Sequence, residues 1–117
     1  FTQKRKKLTK KVLYNQLNNG LKNIKNKKNI IIAYEPVWSI GSGLIPKIED
    51  LIDTTEIIKI FLTSKMKFKN PKVLYGGSVN SKNITLLRKV TNLDGFLIGG
   101  SSQNSNKFID IIKKTFN

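Results

Sequence analysis

Three short apolar runs alternate along this chain with four stretches whose apolar residues recur every three or four positions, and this alternation limits the fold more than any other feature. The runs are Asn29 to Tyr34, Lys72 to Gly76 and Asp94 to Gly99. Each is too short for a helix and rich in branched or aromatic residues, so each reads as a strand. The first, an unbroken isoleucine-rich run, reads as buried on both faces. The helical stripes are carried by Leu8, Val12, Leu13, Leu17, Leu21 and Ile24; by Ile48, Leu51, Ile52, Thr55, Ile58 and Leu62, continuing to about Met66; by Ile84, Leu87 and Val90; and by Phe108, Ile111, Ile112 and Thr115. Thr9 and Ser81 are the expected caps of the first and third helices. Helices alternating with apolar strands imply an α/β fold, with parallel strands joined by crossovers and helices covering the sheet.

Three strands are few for such a sheet. A parallel sheet covered on one face closes into a barrel, and eight strands is the common solution. The segments that follow the three strands, "EPVWSIGSG", "GGSVN" and "GGSS", all fall at strand C-terminal ends, where α/β architectures place their sites. Gly76-Gly77 and Gly99-Gly100 read either as plain tight turns or as places where backbone N–H groups approach an anion, with Ser78 adding a hydroxyl donor. Glu35 reads either as a solvated carboxylate ending a strand or as a chemical group. Around it, Pro36 fixes the exit from the strand, Gly41 and Gly43 permit unusual backbone angles, and Val37, Trp38 and Ile40 give the loop an apolar side. Such a loop suits a lid that excludes water, although Trp38 has the alternative of ordinary packing. Neither "GxxxxGK[ST]" nor "GxGxxG" occurs, so nucleotide-binding folds have no motif to support them.

A formal charge of +15 raises the possibility of a nucleic-acid or anionic-surface binder. Only Arg5 and Arg88 are arginines, whereas bidentate phosphate clamps and base readout favour arginine, and lysine, asparagine and isoleucine together dominate the composition. The charge therefore reads as compositional bias, and neither a nucleic acid nor a membrane is expected as a partner. The cluster "KRKKLTKK", Lys4 to Lys11, is the one local excess. No apolar run approaches the roughly 18 residues of a membrane span, and the absence of cysteine excludes disulfides and thiolate metal sites, in keeping with a reducing cytoplasm. With Phe1 at its start, the chain reads as a piece of something longer.

The motifs "AYEPVWSIGSG", "YGGSV" and "GFLIGGSS" resemble triosephosphate isomerase in order and spacing. The resemblance implies that residues 1–117 are a single incomplete domain, the C-terminal part of a (β/α)8 TIM barrel holding about strands six to eight. It implies interconversion of dihydroxyacetone phosphate and glyceraldehyde 3-phosphate in glycolysis and gluconeogenesis, without cofactor or metal, by a cytoplasmic enzyme that is a homodimer when complete. Glu35 matches the catalytic base. Gly41, Ser78, Gly99 and Gly100 match the donors to the substrate phosphate. Pro36, Val37, Trp38 and Gly43 match the lid, and Tyr75 its latch tyrosine.

The departures are Ser39 and Ser42 in place of the usual alanine and threonine, and Leu44 and Ile45 in place of a polar pair. Pro46 has no N–H for Tyr75, so closure is expected to lean on Ser78. The chain contains no histidine, and the family's electrophilic histidine and phosphate-side lysine belong to the first half of the barrel. These residues alone are therefore expected to be inactive. Two other readings stay open: another phosphate-binding barrel, which would have no reason to carry "YEPVW", and a basic nonenzymatic binding protein on a remnant barrel.

Overall fold

A computed structural model describes residues 3–116. The order is α1 (Gln3–Leu21), β1 (Ile32–Tyr34), α2 (Ile48–Ser64), β2 (Val73–Tyr75), α3 (Ile84–Leu87), β3 (Gly95–Phe96) and α4 (Ser105–Phe116), with 3-10 turns at Val37–Ser39 and Gly100–Gln103. The alternation expected from the apolar pattern is present. The three strands form one parallel sheet in the order β1-β2-β3, in which Ala33 pairs with Leu74 and Leu74 with Gly95. This is an α/β fold with helices packed on a parallel sheet.

Side chains alternate across a strand, so the register decides what each face carries. Ile32, Tyr34, Val73, Tyr75, Phe96 and Ile98 all pack into helix-bearing clusters. One cluster joins Leu13 and Leu21 of α1 to Ile57, Ile58, Phe61 and Leu62 of α2 and to Val73 of the sheet. The other joins Leu51, Tyr75, Val79, Ile84, Leu87, Val90 and Ile111, drawing in α3 and α4. Tyr34 and Leu93 touch both clusters. Leu51, Ile58, Leu62, Val73, Ile84, Leu87 and Ile111 are fully buried, each contributing about 1.5–3 kcal/mol over an exposed position.

The opposite face presents Ile31 and Ala33, both exposed, beside half-buried Leu74, Gly95 and exposed Leu97. The reading of Asn29 to Tyr34 as buried on both faces is thus corrected. Helices cover only one side of this sheet, and every second residue of β1 faces away from them.

Two caps also differ from expectation. Helix α1 already runs from Gln3, so Thr9 lies inside it, and α1 docks through Leu13, Tyr14, Leu17 and Leu21 while Leu8 and Val12 remain exposed. Its Tyr14 ring stacks on Phe61 with centroids 4.3 Å apart. Before α3, Asn80 does the work expected of Ser81, its Oδ1 accepting the amides of Lys82 and Asn83 at 2.9 Å each. Asn83 answers by accepting the Asn80 amide at 2.8 Å, so the two side chains fold the turn reciprocally.

The second and third strands are pinned near their starts by Asp94. Its carboxylate accepts the Val73 amide at 2.8 Å and pairs with Lys59 at 3.0 Å, while Lys72 lies at 3.9 Å. Partial burial pushes the Asp94 carboxyl up, but the Val73 N–H and the two lysines outweigh it and hold the group below its ordinary value. None of the described helices is long and apolar enough to cross a membrane.

Candidate active site

The C-terminal ends of all three strands lie at one edge of the sheet. Glu35 follows β1 and, by alternation with Ala33, belongs to the face the helices leave uncovered. Its side chain lies directly over the second strand's turn: a Cβ built on Gly76 would come 2.6 Å from Glu35 Cγ and 2.7 Å from Oε1. Only glycine leaves room there for the carboxylate.

Residues 36–46 leave β1 as an ordered loop. Pro36 is buried with φ −64°, and the 3-10 turn that follows it is closed by Ser39 N–H donating to Pro36 O at 2.9 Å. Val37 is 84% exposed and Trp38 55% exposed, so Trp38 is not ordinary core packing. Gly41 and Gly43 have φ of +69° and +78°, the left-handed region that side chains resist. The loop is fastened to the turn after β2. Ser78 Oγ accepts the Gly43 amide at 2.9 Å and donates to Ser39 O, and Ser78 N–H donates to Ser39 Oγ at 3.0 Å. Ser39 Oγ lies 2.7 Å from the Tyr75 hydroxyl and donates to Leu44 O. Asn83 steadies the far side by donating to Ser78 O at 3.0 Å.

Gly77 explains how these groups come so close. A Cβ on it would lie 2.2 Å from the Tyr75 hydroxyl and 2.6 Å from Ser39 Oγ. The third strand end differs: Gly99 and Gly100 are exposed, and a Cβ on either would meet nothing within 4 Å. Gly41 is equally open at the tip of the loop.

A cleft of about 1100 Å³ opens at the other end of the sheet among Lys25, Lys27, Lys28, Lys67, Lys69 and Lys72. Its lining holds no carboxylate or hydroxyl side chain. A smaller hollow of about 440 Å³ lies beside the loop, lined among others by Tyr34, Trp38, Pro46, Lys47 and Thr54. Among the described residues no group of histidine, cysteine, aspartate and glutamate could hold a metal.

A family model described as triosephosphate isomerase matches residues 1–115. The chain belongs to the triosephosphate isomerase family. Among curated relatives, the triosephosphate isomerase of Saccharomyces cerevisiae is 42% identical over 104 residues, 86% of this chain and 42% of the relative. That of Bradyrhizobium diazoefficiens is 39% identical over 104 residues, covering 87% of this chain and 41% of the relative. That of Leptospira biflexa is 38% identical over 120 residues, covering 97% and 48%. The chain thus spans less than half the length of these curated relatives.

Family membership gives weight to the contacts the structure makes between candidate residues. Glu35 and the Gly76 turn are brought together, as are the loop, Tyr75 and Ser78. Gly99 and Gly100 stand at the same edge, after the strand adjacent to β2. The sequence marks Ser39 only as a departure from the family's usual alanine and gives it no role, whereas it is completely buried and bonded to Tyr75, Ser78 and Leu44. A serine set between Trp38 and Ile40 was the available signal, but partners 36 and 39 positions away are invisible to local pattern.

Proposed function

We propose that these residues are the C-terminal part of a triosephosphate isomerase barrel, about its strands six to eight in one incomplete domain, with Glu35 as the base. The full-length protein interconverts dihydroxyacetone phosphate and glyceraldehyde 3-phosphate. The observation that carries this reading is the placement of Glu35: it ends a strand on the uncovered sheet face, lies over Gly76, and is followed by a loop bonded to the next turn.

The chemistry follows from that placement. The Glu35 carboxylate takes a proton from the carbon beside the substrate carbonyl, leaving an enediolate, and returns it to the neighbouring carbon. The enediolate oxygen needs an electrophilic donor. This chain has no histidine, so an imidazole for that purpose comes from outside these residues. Triosephosphate isomerase is itself the standard illustration of a glutamate base working with a neutral histidine and a closing loop. Backbone amides at Gly41, Gly99 and Gly100, with Ser78, are assigned to the phosphate. A dianion held by fixed dipoles supplies binding energy for positioning the loop over the substrate and aligning the reacting carbons. In the observed arrangement Ser78 gives both its protons to Ser39, so its part in phosphate binding requires exchange of those bonds.

Glu35→Gln in the full-length protein separates binding from chemistry. The amide keeps size and hydrogen-bonding capacity but is no base. Positioned general bases contribute typically 10² to 10⁴-fold, so kcat is expected to fall by at least about 10²-fold. Calorimetric affinity for an inert phosphate-bearing analogue is expected to change far less. Turnover close to the parent rate would return Glu35 to the role of a solvated carboxylate.

A further inference from the structure

The Ser39 hydroxyl is saturated, and its partners decide what holds the loop. A hydroxyl has one proton to give and two lone pairs to fill. The proton goes to Leu44 O; one lone pair takes Ser78 N–H at 3.0 Å, which leaves the Tyr75 hydroxyl, 2.7 Å away, as donor to the other. Ser39 is 0% exposed, so no water substitutes for any of the three. Tyr75 is also fully buried. Burial pushes its hydroxyl pKa above the ordinary tyrosine value against the opposing effect of the Ser39 hydrogen bond, so the hydroxyl keeps its proton to donate at neutral pH.

We propose that Ser39 is the latch of the 36–46 loop: its hydroxyl ties the loop's entry to its exit at Leu44 and both to Tyr75 and Ser78, so that the loop stays fastened with no ligand present. This rests on the reading of these residues as the lid of the site. It explains the departure at Pro46. A proline there has no N–H for Tyr75 to meet, and the Tyr75 hydroxyl turns instead to a side chain inside the lid. The fastening is also self-consistent in shape, because a bare Gly77 is what lets the Tyr75 and Ser39 hydroxyls close on one another. Ser39 touches no reacting atom. It is a positioning residue, acting through the lid that carries Gly41 and Gly43. A latch set before substrate arrives also holds the Ser78 amide, so ligand binding at the site is coupled to release of Ser39.

Amide hydrogen exchange of Gly43, measured in the full-length protein without substrate, reads the latch directly, since that amide donates to Ser78 Oγ across the fastening. Ser39→Ala is expected to speed Gly43 exchange by about 2- to 12-fold, the range one net hydrogen bond supplies, while amides of α2 such as Leu62 keep the parent rate. Tyr75→Phe should speed it in the parent background and add nothing in Ser39→Ala, because the two hydroxyls are one interaction. Fluorescence of Trp38, the only tryptophan of these 117 residues, should report the same loosening as stronger quenching by acrylamide, read as the difference from a Trp38→Phe control. Unchanged Gly43 exchange in Ser39→Ala, or an equal effect of Tyr75→Phe in both backgrounds, overturns the proposal. Should Ser39→Ala strip protection from α2 as well, Tyr75→Phe alone decides: acceleration confined to Gly43 supports the latch, and none refutes it. Glu35→Gln is expected to leave Gly43 exchange at the parent rate, so loss of the isomerase reading and loss of the latch would be seen in different measurements.

Discussion

The dipeptide Gly-Gly occurs twice in this chain, after β2 and after β3, and the two copies live in opposite surroundings. At Gly76-Gly77 a methyl group would collide with Glu35 on one residue and with Tyr75 and Ser39 on the other. At Gly99-Gly100 it would meet open space. The same letters therefore do two jobs. The first pair is glycine because protein atoms already fill the volume; the second leaves its backbone approachable from outside, as a group meant to receive a ligand must be.

Gly77→Ala is the sharpest way to break this contrast and carries the largest expected effect. The added carbon would sit 2.2 Å from the Tyr75 hydroxyl and 2.6 Å from Ser39 Oγ, distances no real Cβ tolerates. Tyr75 is fully buried in the cluster that also holds Leu51, Val79 and Ile84, and so has no exposed route of retreat. Overpacking a tight site costs about 1–3 kcal/mol, and parting buried hydroxyls adds about another 1 kcal/mol or more. A drop of about 2–4 kcal/mol in unfolding free energy is expected by urea titration of the full-length protein. A change below about 0.5 kcal/mol would mean that the crowding is not maintained in solution.

Gly76→Ala tests the neighbouring residue and separates stability from activity. The atoms met there belong to Glu35, an exposed side chain free to swing aside, so stability is expected to change by less than about 1 kcal/mol. The carboxylate, however, would be displaced from its resting position. A misplacement of about 1 Å at a reacting group costs on the order of 10²-fold in rate, and a fall in kcat of that order is expected on the proposed isomerase reading. Steady-state turnover of dihydroxyacetone phosphate, set beside the unfolding curve, distinguishes this from a folding defect.

The contrast between the two glycine pairs also marks how far the sequence could be read. Periodicity located every helix and strand, because the Ile48 to Leu62 stripe and the runs ending in Tyr34 and Tyr75 register burial against neighbouring elements. Family motifs named Glu35, Ser78, Gly99 and Gly100 as site residues, while the local pattern read both glycine pairs alike, as tight turns or as backbone open to an anion. What separates them is the approach of Ser39 and Glu35 from a distant part of the chain, which no local window contains. The uncovered face was misread for a similar reason. An apolar run such as Ile30 to Ala33 states that its residues suit burial, and the covering partner lies elsewhere. Thr9 failed as a cap because helix α1 had already begun at Gln3, within a lysine-rich segment where propensity gave no start signal.

Gly100→Ala carries the smallest expected change in stability. Gly100 opens the Gly100–Gln103 turn, its φ lies outside the left-handed region, and nothing stands within 4 Å of the new methyl. Replacing glycine where alanine fits removes unfolded-state freedom and is worth about 0.4–1 kcal/mol, so the unfolding midpoint should hold or rise slightly. Binding is expected to move the other way. If the Gly100 amide approaches the substrate phosphate, a methyl beside it obstructs that approach, and calorimetric affinity for a phosphate-bearing analogue in the full-length protein should fall by about 10-fold or more, since a hydrogen bond to a charged group is worth about 1.5–3 kcal/mol. Stability lost with affinity intact would erase the distinction between the two pairs, since Gly100 would then be glycine for packing as Gly77 is. Stability and affinity both unchanged would leave Gly100 a plain turn and confine the cradle to the remaining donors.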